Sequence, residues 1–463
     1  MHFSDIFNKN WDEILSDMSS ENRLRFSEYF SKVNEKINAF VTPFAFPESF
    51  ENESPNHLIF SVKDSIYTRN FPTTCGLPEL KNFIPGNDHS TVENLISKGF
   101  SLVGKTNLPS NCSGIITDNI LFGATKNPWD LTKNSGGSSG GSAASVAAGF
   151  THFSICSDYG GSAHLPSHLC GVYSLKPTEY TTDTGYHIPP CYPGYRNFLK
   201  HIGVLGIIAS SLETIKSVFP LVQNGNNPVK QMPSLPKDNL KIAHFDPFGG
   251  EMKLSSTVNE LYENFTSSVG KSHSIEWISR RLYTPGKLND LLLEIFGYEY
   301  FHCVPESIAQ GLHHIAKSTD KPLTGFLKGI LNSEDEFAMC LNNKTKISET
   351  VCSILEHYDI IMTPVSHTNN IDMIPRPNEV AFEYPPEFYR FAANTLLFSL
   401  SGHPSISIPL GIGKNGIPFS AMLIGQKNSE SVLIDAAMKI NPRALENQIP
   451  TGIKNHLERM EFF

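Results

Sequence analysis

Residues 134–142 read Asn-Ser-Gly-Gly-Ser-Ser-Gly-Gly-Ser, and Asp158-Tyr159-Gly160-Gly161-Ser162 follows after an Ala-rich stretch. Glycine adopts backbone angles closed to other residues and lets backbone N–H groups approach a ligand closely. Two serine-bearing glycine loops so near each other therefore predict a rigid cradle with a short small-residue helix between its halves. Such a loop can hold a hydroxyl nucleophile beside several N–H donors, the arrangement that acyl transfer uses. Upstream, Ser61-Val62-Lys63-Asp64 closes an apolar run and supplies a candidate base.

The 463 residues suffice for one large α/β domain. With 40% hydrophobic and 18% charged residues the chain reads as globular. The net charge of −9, without a basic stripe, argues against nucleic acid as the main partner. Eight cysteines, at 75, 112, 156, 170, 191, 303, 340 and 352, form no Cys-x-x-Cys pair, so no zinc site is expected. They read as reduced core thiols in a cytoplasmic setting. Neither a secretory leader nor a membrane span of about 18 apolar residues is expected.

Residues 1–50 are read as a helical arm packed on the core, with Phe26, Phe30, Val33, Ile37 and Phe40 on one face. Residues 51–463 form the main domain: core motifs over 57–215, a more variable helical segment over 220–350, and a return to the sheet over 356–445. Strands are expected at 57–62, 100–104, 152–156, 359–362, 406–408 and 421–424. Helices are expected at 91–99, 142–148, around 288–301, at 334–355 and at 430–440. Residues 220–238 read as a loop-rich stretch. Strands alternating with helices predict a mixed, twisted sheet covered by helices on both faces.

Six motifs occur in order: Val62-Lys63-Asp64, Gly104 to Pro109, Asn127-Pro128-Trp129-Asp130, Gly136 to Ser142, Asp158 to Ser162, and Cys170-Gly171-Val172 to Lys176-Pro177-Thr178. Together they resemble the amidase signature family of serine hydrolases, with weaker matches at Ile37 to Val41 and Gly402 to Pro409. The resemblance implies the amidase signature fold, Ser162 as nucleophile, Ser138 as a relay preceded by a cis peptide bond, and Lys63 as base. It places the oxyanion hole on the backbone N–H groups of Tyr159, Gly160, Gly161 and Ser162. Ser139 and Asp158 read as supporting residues, and Lys105 and Asp130 as surface or scaffold residues. A serine hydroxyl needs a base. The 17 histidines offer no Gly-x-Ser-x-Gly motif, whereas a lysine desolvated at the end of an apolar strand can serve.

Two positions depart from the family pattern. Ala163-His164 stands where Ile-Arg is usual, and Gly206 to Ser210 ends on serine where a second arginine is usual. The implied activity is hydrolysis of a linear carboxamide through an acyl-serine, with no metal or organic cofactor and a small-molecule amide as partner. The A subunit of a glutamyl-tRNA amidotransferase ranks second. A binding protein on a hydrolase scaffold is a third reading, and a homodimer is left open. The apolar stretch from Leu288 to Phe301 reads first as core packing and second as an acyl pocket.

Overall fold

Among the residues the computed structural model describes (20–44, 58–184, 200–224, 239–318, 325–371, 386–446 and 448–459), ten strands form one sheet. They are β1 (Ile59–Lys63), β2 (Ser101–Thr106), β3 (Phe153–Asp158), β4 (Tyr173–Lys176), β5 (Val204–Ala209), β6 (Lys241–Asp246), β7 (Ser274–Ser279), β8 (Ile360–Pro364), β9 (Ser405–Ile412) and β10 (Pro418–Ile424). The order is β2-β1-β3-β5-β4-β9-β10-β8-β6-β7. The ends are parallel (β2, β1, β3 and β8, β6, β7) and the middle is antiparallel, which makes the sheet mixed.

Thirteen described helices cover it: α1 (Ser20–Ile37), α2 (Ser90–Ser97), α3 (Gly140–Ala147), α4 (His164–Cys170), α5 (Leu212–Val222), α6 (Asn259–Val269), α7 (Pro285–Cys303), α8 (Glu306–Ser318), α9 (Gly325–Leu331), α10 (Glu334–Leu355), α11 (Pro386–Ser401), α12 (Glu430–Ile440) and α13 (Thr451–Arg459). Alternation along each strand sends side chains to opposite faces. Phe60, Val62, Phe153 and Ile155 pack beneath α2, α5, α6 and α12. On the other face, Ile59, Val103 and Cys156 meet α1 and α3, while Ala243, Phe245 and Ile361 meet α7, α10 and α11. In the described part of residues 1–50, Phe26, Phe30, Val33, Ile37 and Phe40 are all buried.

Two expectations are corrected. The segment 220–350 is more than helical, since β6 and β7 lie within it and extend the sheet. Lysine, histidine and aspartate interrupt the apolar pattern of β6. β7 is an edge strand whose residues are exposed or only half-buried, so neither carries a clean alternation. Pro220 does not open a loop; it sits inside α5. Burial of Leu212, Ile215, Val218, Phe219 and Val222 holds that helix, and the Ser211 side chain caps it by accepting from the Thr214 N–H. Residues 225–238 lie outside the described set. The seven described cysteines are free. No described helix is long and apolar enough to cross a membrane, and no group of three or more described His, Cys, Asp or Glu residues could hold a metal ion.

Helix α3 is buried along its whole length, which explains its Gly, Ala and Ser composition. At Gly141 an added Cβ would lie 2.3 Å from the Asn107 nitrogen and 2.6 Å from the carbonyl oxygens of Ala39 and Asn107. These obstacles are backbone and cannot swing aside. Gly141→Ala is expected to cost about 3 kcal/mol, the upper end of ordinary overpacking, read as a lowered denaturant midpoint with an unchanged slope.

Candidate active site

β1 and β3 are adjacent and parallel, and their C-terminal ends deliver Lys63 and Asp158 to one edge of the sheet. Lys63 is fully buried. Its Nζ donates to Ser138 Oγ at 2.6 Å and to Ser157 Oγ at 3.0 Å. No carboxylate pairs with it among the described residues. Ser138 follows a cis Gly137–Ser138 peptide bond. Gly137 fits there because a Cβ would meet the Gly114 carbonyl oxygen at 2.8 Å.

Of the two readings of Lys105, surface or scaffold, the structure fits the second. Lys105 is fully buried, and β2 sets it beside Val62 in register. Its Nζ donates to the Ile66 carbonyl at 2.5 Å and to Thr73 Oγ1 at 2.7 Å, with Asp64 Oδ1 at 3.5 Å. Asp64 also accepts from the backbone N–H and hydroxyl of Thr74. Burial pushes the Lys105 amine down and the Asp64 carboxyl up, and their mutual attraction opposes both shifts. The pair pins the turn that follows Lys63. Lys105→Met strands a buried carboxylate and is expected to cost about 3–5 kcal/mol of stability. Adding Asp64→Asn should recover part of that loss in denaturant unfolding, because the double variant leaves no uncompensated charge.

The second loop is held from beneath. Asp158 Oδ1 accepts from the Gly161 N–H at 2.9 Å and from Ser399 Oγ at 3.2 Å, and Oδ2 accepts from the Ala163 N–H at 2.7 Å. Of the four consecutive N–H groups expected to form the oxyanion hole, that of Gly161 is therefore already engaged. Gly161, at φ +112°, turns its N–H onto Asp158 instead. The N–H groups of Gly160 and Ser162 are unengaged among the described residues. Thr395 Oγ1 donates to the Gly160 carbonyl at 3.0 Å, and Tyr159 stacks on Phe296 with centroids 5.6 Å apart. The two loops touch where the Ser139 N–H donates to the Ser162 carbonyl at 3.2 Å, and Ser139 Oγ reaches the Ser157 carbonyl at 3.3 Å. The Lys63–Ser138 link is thus made. The Ser162 hydroxyl hydrogen-bonds to neither Lys63 nor Ser138.

Ser162 opens into a cavity of about 90 Å³ lined largely by Ile115, Leu165, Leu292, Leu293, Phe296 and Leu396. Among the described residues that line it there is no charged side chain. The apolar stretch of α7 therefore serves both the core and the cavity. Leu288 and Ile295 belong to the core, while Leu292, Leu293 and Phe296 face the cavity.

The arginine-replacing positions are neutral. His164 is fully buried; Nδ1 lies 2.8 Å from Ser174 Oγ and Nε2 lies 2.7 Å from Ser405 Oγ. Burial pushes its imidazole down to about 4, so it is uncharged near neutral pH. Ser210 contributes a backbone N–H to the His152 carbonyl at 3.0 Å. The Asn127 and Trp129 side chains donate to the carbonyls of Leu169 and Cys170, closing the end of α4, which starts beside the second loop. Asp130 is partly exposed and caps a local turn through Thr132. Sequence reasoning missed Ser157, Thr395 and Asn289, which carry no motif.

Comparison with known proteins adds three findings. A family model described as Amidase matches residues 31–434. The A subunit of glutamyl-tRNA(Gln) amidotransferase from Sulfolobus acidocaldarius is 28% identical over 415 residues, covering 83% of this chain and 84% of that protein. Among solved structures, a bacterial aryl acylamidase of the amidase signature family superposes with a TM-score of 0.75 at 19% identity, over 96% of this chain and 98% of that one. The A subunit of glutamyl-tRNA(Gln) amidotransferase from Thermotoga maritima superposes with a TM-score of 0.72 at 22% identity, over 96% and 98%.

Proposed function

The chain belongs to the amidase signature family, and on that premise we propose that it hydrolyses a carboxamide C–N bond through a covalent acyl-serine intermediate. The observation that carries the reading is the buried 2.6 Å bond from Lys63 to Ser138, next to a serine that opens into an apolar cavity. Ser162 Oγ attacks the amide carbon and loses its proton to Ser138, whose own proton passes to Lys63. The N–H groups of Gly160 and Ser162 receive the oxyanion. The C–N bond breaks as Ser138 protonates the leaving nitrogen and regains a proton from Lys63. Water then attacks the acyl carbon, its proton follows the same relay, and Ser162 is restored as the carboxylic acid departs. Ser139 and Asp158 hold the two loops in place. The cycle calls on no metal or organic cofactor.

The cavity, uncharged along its described lining, favours an amide with a largely apolar acyl group, because a buried unpaired charge is costly. A second reading, component of an amidotransferase, has its own support in the relatives named above. Those comparisons favour it over hydrolysis of a linear amide; the cavity lining keeps hydrolysis first. A panel of alkyl amides, anilides and glutamine separates the two. Release of amine from alkyl amides or anilides by the isolated chain, with an acyl adduct on Ser162 in the mass spectrum, is the expected result. Turnover of glutamine alone, together with copurifying subunits, would transfer the reading to the amidotransferase.

A further inference from the structure

We infer that Asn289 is a specificity-determining residue, whose side-chain amide reads one uncharged hydrogen-bonding oxygen on an otherwise apolar acyl group; the inference rests on the amide-hydrolase reading of the same cavity. Asn289, Leu292, Leu293 and Phe296 recur at helical spacing on α7, and all four line the cavity that Ser162 opens into. The side of α7 they form runs along the nucleophile loop. Leu292 carbons lie 3.6 and 3.7 Å from where a Cβ on Gly160 would stand, and Phe296 stacks on Tyr159. Asn289 lies one turn before Leu292, about 4.5 Å along the helix axis. It therefore shares one cavity with Gly160 and Ser162, within reach of a chain attached to a carbonyl held at Gly160.

Asn289 is only 9% exposed, and its side-chain amide, unpaired among the described residues, keeps its polar atoms open to the cavity rather than sealed in the core. Two other hydroxyls on the cavity wall are already committed: Ser113 Oγ donates to the Asn111 carbonyl at 3.3 Å, and the Tyr159 hydroxyl donates to the Cys112 carbonyl at 2.6 Å. A leucine at 289 would have continued the apolar wall; the chain has a group that both donates and accepts. With no charged side chain among the described lining residues, the matching ligand group is a hydroxyl or carbonyl rather than a carboxylate or ammonium. Ligand sites of this type use a few polar groups to orient a mostly apolar ligand.

The test compares hexanamide with hydroxyhexanamides whose hydroxyl moves along the chain. Each is assayed by kcat/KM and by its protection of Ser162 from a fluorophosphonate, a readout that needs no turnover. The full chain should prefer at least one hydroxylated member by roughly tenfold, the scale of one net hydrogen bond. In Asn289→Leu that ratio should collapse to about one, while Asn289→Ser, which keeps a hydrogen-bonding group, should retain part of it. Unchanged selectivity in Asn289→Leu, with Ser162 still labelled, would overturn the role of Asn289 and leave amide hydrolysis standing. So would the absence of any preference in the parent chain. Failure of the parent chain to label at Ser162 would instead remove the hydrolase reading and this inference with it.

Discussion

Ser162→Ala is expected to abolish labelling by a fluorophosphonate and to lower kcat by about 10⁶-fold, the scale on which a serine hydrolase feels the loss of its nucleophile. The variant should fold as the parent does. The Ser162 hydroxyl makes no hydrogen bond among the described residues, so alanine strands no partner, and substitutions of that kind usually stay within about 0.5 kcal/mol. What remains is the set of backbone donors. The Gly160 and Ser162 N–H groups and the Asp158 brace do not depend on the hydroxyl, so a residual rate above the uncatalysed one is expected from oxyanion stabilisation and binding alone. Active-site titration with the probe, mass analysis of the labelled peptide and a thermal melt on the same sample check all three points. Turnover at the parent rate in well-folded Ser162→Ala would mean that another group attacks the carbonyl.

The parts of the site carried by short-range patterning were legible in the sequence. Glycines 136, 137, 140 and 141 announced a loop of close backbone approaches, and the small residues after it announced a helix with neighbours on every side. The parts made by tertiary assembly were not. Lys105 looks like any lysine in a strand flanked by glycine and threonine. Only the parallel pairing of β1 and β2 reveals that it is walled in beside Asp64. The N–H of Gly161 could not be assigned from sequence, because its direction depends on one positive φ and a carboxylate three residues earlier. The cavity wall comes from α7 and α11, remote from the loops in sequence. A single asparagine in an apolar helix reads as a surface position until its neighbours are known. Strands β6 and β7 were hidden by histidine, glutamate and tryptophan that break the alternation, and Pro220 by a tertiary burial that outweighs its local preference.

Lys63→Met is expected to lower kcat by about 10²–10⁴-fold, the usual contribution of a positioned acid–base group. The two sides of that substitution separate chemistry from packing. Lys63 is fully buried, so a straight uncharged chain such as methionine keeps most of its volume, while alanine would open a cavity. The hydroxyls of Ser138 and Ser157 lose their partner in either variant, at about 1–3 kcal/mol for buried polar groups left unsatisfied. A lysine that merely held Ser138 in place would show that stability loss, and a fluorophosphonate would still react with Ser162 at nearly the parent rate. A lysine that takes the relayed proton makes the labelling rate fall together with kcat, because both require the Ser162 oxygen to shed its proton. Small primary amines should then partly restore turnover in Lys63→Ala, more so for amines of higher basicity, and should do nothing for Ser162→Ala. Full turnover in folded Lys63→Met would take the amine out of the relay and leave Ser138 to pass its proton elsewhere.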